Sequence, residues 1–122
     1  MSPAIGPYAP SRRAGEWVVT SGQIGVAPGA DGTAALVGPD VESQLRQALA
    51  NLAEVLGDQG LGLADVVKAT VFVVDVGALA TVNGIWTSTF GDEPPARSAV
   101  GVAALPLGAV VEVEAWAFRP ER

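Results

Sequence analysis

Apolar residues recur at spacings of three and four between residues 41 and 56, which is the period of one face of an α-helix. Asp40 precedes this segment and can accept hydrogen bonds from the free N–H groups of a first turn, where Glu42 also suits the helix dipole. Gly57 fits the left-handed position that follows the last residue of many helices. The pattern predicts a first helix between Asp40 and Gly57.

A second helix and several strands are predicted from the same kind of pattern. Asp75 can cap this helix and Gly91 can end it. Its apolar stripe consists of Leu79, Val82, Asn83, Trp86 and Phe90. Runs of β-branched and aromatic residues predict strands at 17–20, 66–75, 97–104 and 109–118, with a short strand at 34–37. The order of the main elements is β, α, β, α, β, β.

The alternation within the strands places large apolar groups on both faces of the predicted sheet. One face carries Lys68, Thr70, Phe72, Val74, Glu112, Glu114, Trp116 and Phe118, and the other carries Val67, Ala69, Val71, Val73, Val111, Val113, Ala115 and Ala117. Two helices cover only one face of such a sheet, and a second face in contact with water is normally polar. Because both faces are apolar here, we expect the second one to pack against further copies of the chain.

Composition narrows the chemistry that is available. The length of 122 residues suits one domain, 1–122, and the 7 basic and 13 acidic residues give a net charge of −6, which disfavours nucleic-acid binding. Neither cysteine nor histidine occurs, which removes thiolate and histidine catalysis and the commonest metal ligands. No targeting or membrane-spanning segment is visible. We therefore expect a cytoplasmic protein that uses neither a metal nor a cofactor and does not bind membranes.

Arg97, Glu112 and Glu114 are the main candidates for chemistry. A guanidinium can bind a carboxylate through two parallel hydrogen bonds. Two glutamates at alternate positions of an apolar strand raise each other's pKa, as burial also does, so that one can exchange protons near neutral pH. The alternative is a structural ion pair between one glutamate and Lys68 or Arg97.

The last two strands are predicted to form a hairpin, so the relation between Arg97 and the glutamates depends on the connection around Leu107. A plain turn places Arg97 on the face of Val111, whereas a one-residue bulge or an even loop places it on the face of Glu112. The residues of the connection leave both registers open.

Three other polar positions are candidates. Tyr8, the single tyrosine, can anchor the N-terminal segment or offer its hydroxyl to a pocket. The segment Ser21-Gly22-Gln23 can form a tight turn or bind an anion through its N–H groups. Asn83 lies on the apolar stripe of the second helix, where a hydrogen bond to backbone is expected.

Seven segments between residues 4 and 118, taken in order, resemble those of the RidA/YjgF family, the reactive intermediate deaminases that are also labelled L-PSP endoribonuclease-like. They are Ala4-Ile5-Gly6-Pro7-Tyr8, Val19-Thr20-Ser21-Gly22-Gln23-Ile24, Gln47-Ala48-Leu49-Ala50-Asn51-Leu52, Val67-Lys68-Ala69-Thr70-Val71-Phe72, Pro95-Ala96-Arg97-Ser98-Ala99-Val100, Leu105-Pro106-Leu107-Gly108-Ala109 and Val111-Glu112-Val113-Glu114-Ala115.

The resemblance implies an α+β fold of the chorismate-mutase-like type, with a mixed β-sheet and two helices on one face. It also implies a trimeric, barrel-like assembly with ligand sites between subunits. The implied activity is the hydrolysis of enamines and imines derived from amino acids, such as 2-aminoacrylate and its imine tautomer 2-iminopropanoate, to a 2-oxo acid and ammonium.

The same resemblance assigns roles to particular residues. Arg97 would hold the substrate carboxylate, Glu112 would position or activate water, and Tyr8 would line the pocket. The residues with backbone groups near the ligand would be Ser21, Gly22, Gln23 and Ile24. This implies that Arg97 and Glu112 lie close together, which favours the bulged or even-loop register.

Some positions depart from the family pattern. Ala99 stands where many members have cysteine, Gly101 stands where glutamate is frequent, and Ala104 and Leu107 replace basic residues. These departures leave the substrate open and are compatible with a specialised member that serves one pathway. Two alternatives are a non-catalytic protein that binds small carboxylates and an RNA-cleaving or translation-inhibiting protein. The acidic balance and the absence of histidine argue against the RNA-directed alternative.

Overall fold

Two helices cover one face of a mixed sheet in the computed structural model, which describes residues 6–119. Ala4-Ile5, the start of the Gly-Pro-Tyr motif, and the ends of the range 1–122 lie outside the described residues. The strands are β1 Ser11–Ala14, β2 Trp17–Thr20, β3 Gln23–Ile24, β4 Val26–Pro28, β5 Ala34–Leu36, β6 Val66–Val73, β7 Ala96–Gly101 and β8 Val111–Phe118. The helices are α1 Val41–Gly57 and α2 Leu79–Phe90.

The main sheet has the strand order β1-β2-β8-β6-β7, and β3 pairs with β8 next to β2. Among the described strands of this sheet only β6 and β7 are parallel, and the other pairs are antiparallel. Strands β4 and β5 form a separate two-stranded sheet. The predicted strands at 17–20, 34–37, 66–75, 97–104 and 109–118 are therefore confirmed, with shifts at their ends, whereas the pattern gave no signal for β1, for the very short β3 or for β4.

The predicted hairpin between the last two strands is wrong, because β6 lies between β7 and β8. The chain passes from β6 through α2 into β7, and a strand–helix–strand connection of this kind joins parallel neighbours. The sequence contained the signal for this arrangement, because a predicted helix separates the two predicted strands that prove to be parallel. Consequently, neither of the two registers predicted for the connection around Leu107 determines where Arg97 lies relative to Glu112.

The helix ends follow the sequence except at Gly57 and Asp75. Asp40 caps α1, since its Oδ2 accepts a hydrogen bond from the Ser43 N–H at 2.9 Å. Gly57 is still helical, and the left-handed glycine of this turn is Gly60, with φ of +80°. Asp75 caps a short 3-10 turn at Val76–Ala78 that leads into α2, and Gly91 ends α2 with φ of +66° as predicted.

The core lies between the helices and the alternate residues of β6 and β8. Its larger members are Val18, Leu45, Leu49, Leu52, Leu56, Val71, Val73, Val82, Ile85, Trp86, Val111 and Val113. The predicted faces are confirmed in β8, where buried and more accessible positions alternate. Val67 is an exception at 46% exposed, because the register of β6 against β8 shifts between Val66 and Lys68.

The second face of the sheet is open in a single chain and carries aromatic groups. Trp17 packs edge-on against Trp116 and Phe118, with ring centroids 6.1 and 5.1 Å apart. Trp116 is nevertheless 51% exposed, and Val100 on β7 is also exposed. The face is thus as apolar as the sequence predicts.

Candidate active site

A cleft of about 320 Å³ opens beside the junction of β2, β3 and β8. Its lining consists of Tyr8, Ser21, Gly22, Ile24, Pro106 and Glu112. Five of these residues are candidates from the sequence, and Pro106 comes from the turn that precedes β8. Gln23, which the sequence also proposed, pairs with Val113 and its amide donates to the Ser21 carbonyl at 3.3 Å, so it is not part of the lining.

An irregularity in the sheet creates this cleft. Strand β2 pairs with β8 as far as Val19 opposite Trp116, and pairing resumes in β3 with Gln23 opposite Val113. Three residues, 20–22, thus lie opposite the two residues 114 and 115, which is a bulge. The Thr20 hydroxyl bridges the interruption by accepting the Ala115 N–H at 3.1 Å.

Ser21 tethers the N-terminal segment to the cleft. Its hydroxyl donates to the Ala9 carbonyl at 2.6 Å, and its N–H donates to the Pro10 carbonyl at 2.8 Å. Tyr8 therefore lies against the cleft although it is 51% exposed. Because its hydroxyl proton is engaged, Ser21 acts on the cleft chiefly by holding this segment.

Glu112 is the ionisable group inside the cleft with a perturbed pKa. Partial burial raises the pKa of its carboxyl, and the nearby charge of Glu114 raises it further. Within residues 6–119 its carboxylate has no hydrogen-bond or ion-pair partner. A carboxylate in this state is more ready to accept a proton than an ordinary glutamate.

Arg97 lies outside this cleft, on the helix-covered face of the sheet. Its Nη2 donates to Asn83 Oδ1 at 2.8 Å, and its guanidinium lies 5.2 Å from the centre of the Trp86 ring. In the sheet register Arg97 pairs with Ala69, whereas Glu112 pairs with Phe72, three residues along β6. An odd separation puts the two side chains on opposite faces, so a single chain does not bring Arg97 and Glu112 together.

These contacts also test the alternative that one glutamate forms a structural ion pair with Lys68 or Arg97. Within the described part of the chain neither glutamate forms an ion pair, since Arg97 binds Asn83 and Lys68 donates to the Ser98 hydroxyl at 2.8 Å. Asn83 is exposed, so the prediction that it belongs to the buried stripe is wrong. The sequence pattern missed Asn83 and Trp86 as supports of Arg97, although their spacing of three residues places them on one helix face.

Residues 6–119 show neither a metal-binding cluster nor a membrane-spanning helix. No group of three or more carboxylates in that range is arranged to hold a metal ion. None of the described helices is long and apolar enough to cross a membrane.

The fold and the cleft define an α+β protein of the L-PSP/YjgF type, and comparisons with known proteins agree. The structure of the YjgF gene product of Escherichia coli matches with a TM-score of 0.84 at 39% identity, covering 98% of this chain and 93% of that one. A 2-iminobutanoate/2-iminopropanoate deaminase of Salmonella typhimurium is 43% identical over 119 residues, 95% of this chain and 90% of that protein.

Two further matches bear on the family. A RutC family protein of Pyrococcus horikoshii is 37% identical over 115 residues, 94% of this chain and 89% of that protein. The model of the endoribonuclease L-PSP family matches residues 1–119. The chain therefore belongs to this family, the RidA/YjgF family, which confirms the resemblance seen in its motifs.

Proposed function

We propose that this protein is a hydrolytic deaminase of enamines and imines derived from amino acids. Such an enamine tautomerises to a 2-imino acid, and hydrolysis of the imine releases a 2-oxo acid and ammonium. The observation that carries the proposal is the Glu112 carboxylate, which lies partly buried in the cleft, has a raised pKa and has Tyr8 beside it. Relatives of 40% identity or more that are named 2-iminobutanoate/2-iminopropanoate deaminase support the same activity.

The reaction requires few catalytic groups from the protein. The carbon of a protonated imine is already electrophilic, so one positioned water can attack it. Glu112 accepts a proton from that water as the C–O bond forms, and returns it to the nitrogen of the tetrahedral intermediate. The C–N bond then breaks and ammonia leaves. The hydroxyl of the intermediate loses its proton to become the carbonyl of the 2-oxo acid, and ammonia takes up that proton to become ammonium. Tyr8 closes the cleft over this centre.

The substrate carboxylate needs a cation, and the described residues that line the cleft of one chain do not supply it. We assign this role to Arg97 of a partner subunit in a homotrimer with sites between subunits. Asn83 and Trp86 hold its guanidinium against α2, and Arg97 retains other N–H donors for a carboxylate. The open aromatic face of the sheet supplies apolar surface for the assembly.

The direct experiment follows the decay of an imine in the presence and absence of the protein. An amino-acid oxidase generates 2-imino acids from several L-amino acids, and their absorbance decays as the 2-oxo acid forms. Acceleration of the decay by the wild type, with loss of the acceleration in Glu112→Gln, supports the proposal. Binding of an unreactive 2-oxo acid without acceleration of any imine indicates the alternative, a protein that only binds small carboxylates.

The RNA-directed alternative has its own test. Cleavage of RNA that copurifies with the wild type and disappears in Arg97→Ala would overturn the deaminase proposal. The net charge of −6 gives no electrostatic attraction to a phosphate backbone, so we expect no such cleavage.

A further inference from the structure

Two buried amide side chains of α1 point towards the strands that form the cleft. Gln44 and Asn51 are 1% and 3% exposed, and both lie in an otherwise apolar face of α1. They are seven residues apart, which is two helical turns, so both reach the same side of the helix. Buried amides in such a face are costly unless their hydrogen bonds are made.

Asn51 uses both amide protons on the chain that leaves the cleft. Its Nδ2 donates to the Ile24 carbonyl at 3.1 Å and to the Val26 carbonyl at 2.9 Å. Its Oδ1 accepts a hydrogen bond from the Gln47 Nε2 at 2.9 Å, which fixes the orientation of the amide. These two carbonyls flank Gly25, where the chain passes from β3 in the main sheet to β4 in the small one.

Gln44 holds the backbone on the β8 side of the cleft through similar hydrogen bonds. Its Oε1 accepts the Val110 N–H at 2.8 Å, just before β8 begins, and its Nε2 donates to the Gly38 carbonyl at 2.8 Å. Gly25 lies so close to the helix that a Cβ there would be 2.5 Å from the Gln44 Cα. One rigid helix thus holds both β3 and the start of β8.

The residues held in this way are next to the catalytic carboxylate. Ile24 pairs directly with Glu112, and Val110, just before β8, precedes Glu112 by two residues in the chain. Gly22, two residues before Ile24, lies against the Glu112 carboxylate. A small displacement of β3 away from β8 therefore widens the cleft where Glu112 must meet a water molecule.

We propose that Asn51 is a positioning residue of the cleft, which holds the β3 backbone at the distance from β8 that the Glu112 carboxylate requires. Asn51 touches no substrate and acts only through Ile24 and Val26. This inference rests on the proposed deaminase function for its kinetic consequence. Its structural consequence, the hydration of Glu112, is independent of that function.

The test compares Asn51→Leu with Leu52→Ala in the full-length assembled protein. The first variant keeps the branched shape of the side chain but removes both donations, the one to Ile24 of β3 and the one to Val26 of β4. The second opens a cavity in the core beside it, where Leu52 is fully buried, and leaves the donations in place. Thermal unfolding measures how far each variant is destabilised.

The first readout is the titration of Glu112, followed by NMR of ¹³C-labelled glutamate and assigned with Glu112→Gln. We expect the pKa of Glu112 to fall towards its ordinary value in Asn51→Leu, because β3 no longer shields the carboxylate, and to stay unchanged in Leu52→Ala. Glu114 on β8 is the charge that acts on Glu112, Lys68 on β6 shares its sheet face, and Tyr8 lines the same cleft. In the proposed trimer Arg97 of a partner subunit also faces Glu112. None of them is altered in either variant.

The second readout is imine turnover. Asn51→Leu is expected to lower kcat by roughly tenfold to a hundredfold, the effect of a misplacement of about 1 Å, whereas Leu52→Ala keeps kcat within about twofold. If Asn51→Leu does not fold, Gln47→Ala frees the orientation of the Asn51 amide and should produce smaller changes in the same directions.

The outcomes separate this inference from the proposed function. An unchanged Glu112 titration in a folded Asn51→Leu or Gln47→Ala variant overturns the positioning role, whatever the activity. An equal response of the titration to Leu52→Ala overturns it too, since any loss of stability would then suffice. A selective shift of the titration in a protein whose wild type hydrolyses no imine upholds the positioning of Glu112 and refutes the deaminase proposal alone.

Discussion

The Cα of Gly22 lies against the carboxylate of Glu112, so that a Cβ at position 22 would overlap the Glu112 carboxylate oxygen Oε2. The bulge at 20–22 brings the backbone to this place, and the missing side chain leaves room for the carboxylate. The three nearest atoms all belong to the flexible side chain of Glu112. A larger residue is therefore accommodated by moving Glu112 rather than by unfolding the strand.

Gly22→Ala is accordingly expected to fold with a melting temperature close to that of the wild type and to lose turnover. Displacement of a general acid–base group by about an ångström lowers rates by on the order of a hundredfold. Imine decay and thermal unfolding measure the two effects. The matched control is Gly84→Ala, which should keep its turnover. Gly84 is an exposed residue of α2, and a Cβ there would meet no neighbour within 4 Å. Full activity in Gly22→Ala would contradict the placement of Glu112 at the reacting centre.

Glu112→Gln is expected to separate catalysis from binding. The glutamine keeps the size of the side chain but cannot exchange a proton, so turnover should fall by about 10²–10⁴, the usual contribution of a general acid–base group. Affinity for an unreactive 2-oxo acid should change much less, because the carboxylate acts mainly in the transition state. Glu114→Gln is the control on the same strand face and should alter stability more than rate. The reverse result would move the role from Glu112 to Glu114.

Arg97→Lys is expected to fail although it keeps the charge. A lysine cannot reproduce the planar fork that binds a carboxylate in two places, and loss of such a pair costs on the order of 2–5 kcal/mol in transition-state binding. The lysine also loses the contacts with Asn83 and Trp86. Steady-state kinetics on the intact assembly measures the loss. Unchanged turnover would leave Arg97 with a purely structural role.

A mixing experiment tests whether Arg97 and Glu112 meet between subunits. Arg97→Ala and Glu112→Gln are each expected to be inactive. Co-refolded in equal amounts, they should recover about a quarter of the wild-type activity, since in a cyclic trimer about a quarter of the interfaces combine the two intact residues. No recovery in demonstrably mixed trimers would mean that both residues of a site come from one chain.

The open face of the sheet predicts a trimer that a single charge can disrupt. Trp116 is 51% exposed and lies among Trp17 and Phe118, so Trp116→Arg places a charge in the proposed interface. Light scattering of the wild type should give three times the chain mass of 12.3 kDa, and the variant should give a lower value. Val76→Arg, at an exposed apolar residue away from this face, is the control and should remain assembled. A monomeric wild type at micromolar concentration would contradict the prediction.

The stability of the protein should depend on pH through Glu112. Its folded pKa lies above the ordinary value of 4.5, so the native state binds the proton more tightly than the unfolded chain does. The stability from this group is therefore fully present below its unfolded pKa and is lost as the pH rises through the folded pKa. Glu112→Gln should melt higher than the wild type at pH 7, with a smaller difference at pH 4. A lower melting temperature at pH 7 would indicate that a cation stabilises the ionised carboxylate in the assembly.

The helices and the long strands were predictable because their signals are local. The apolar spacing of α1, the Asp40 cap and the alternation in β8 depend only on near neighbours in the chain. The family motifs likewise pointed to Tyr8, Ser21, Gly22, Ile24 and Glu112, and the tertiary structure brings all five together in one cleft.

Strand neighbours were harder to predict, because a strand pattern shows which face is apolar and not which strand lies alongside. The insertion of β6 between β7 and β8 depends on the packing of α2 over the sheet, and it decides that Arg97 and Glu112 lie on opposite faces. The cleft itself arises from a bulge and from the amides of α1, which join residues as far apart as Gln44 and Val110. Such contacts form only when the whole chain is folded. The sequence motifs were therefore enough to predict which residues carry the chemistry, whereas packing determined how those residues are arranged.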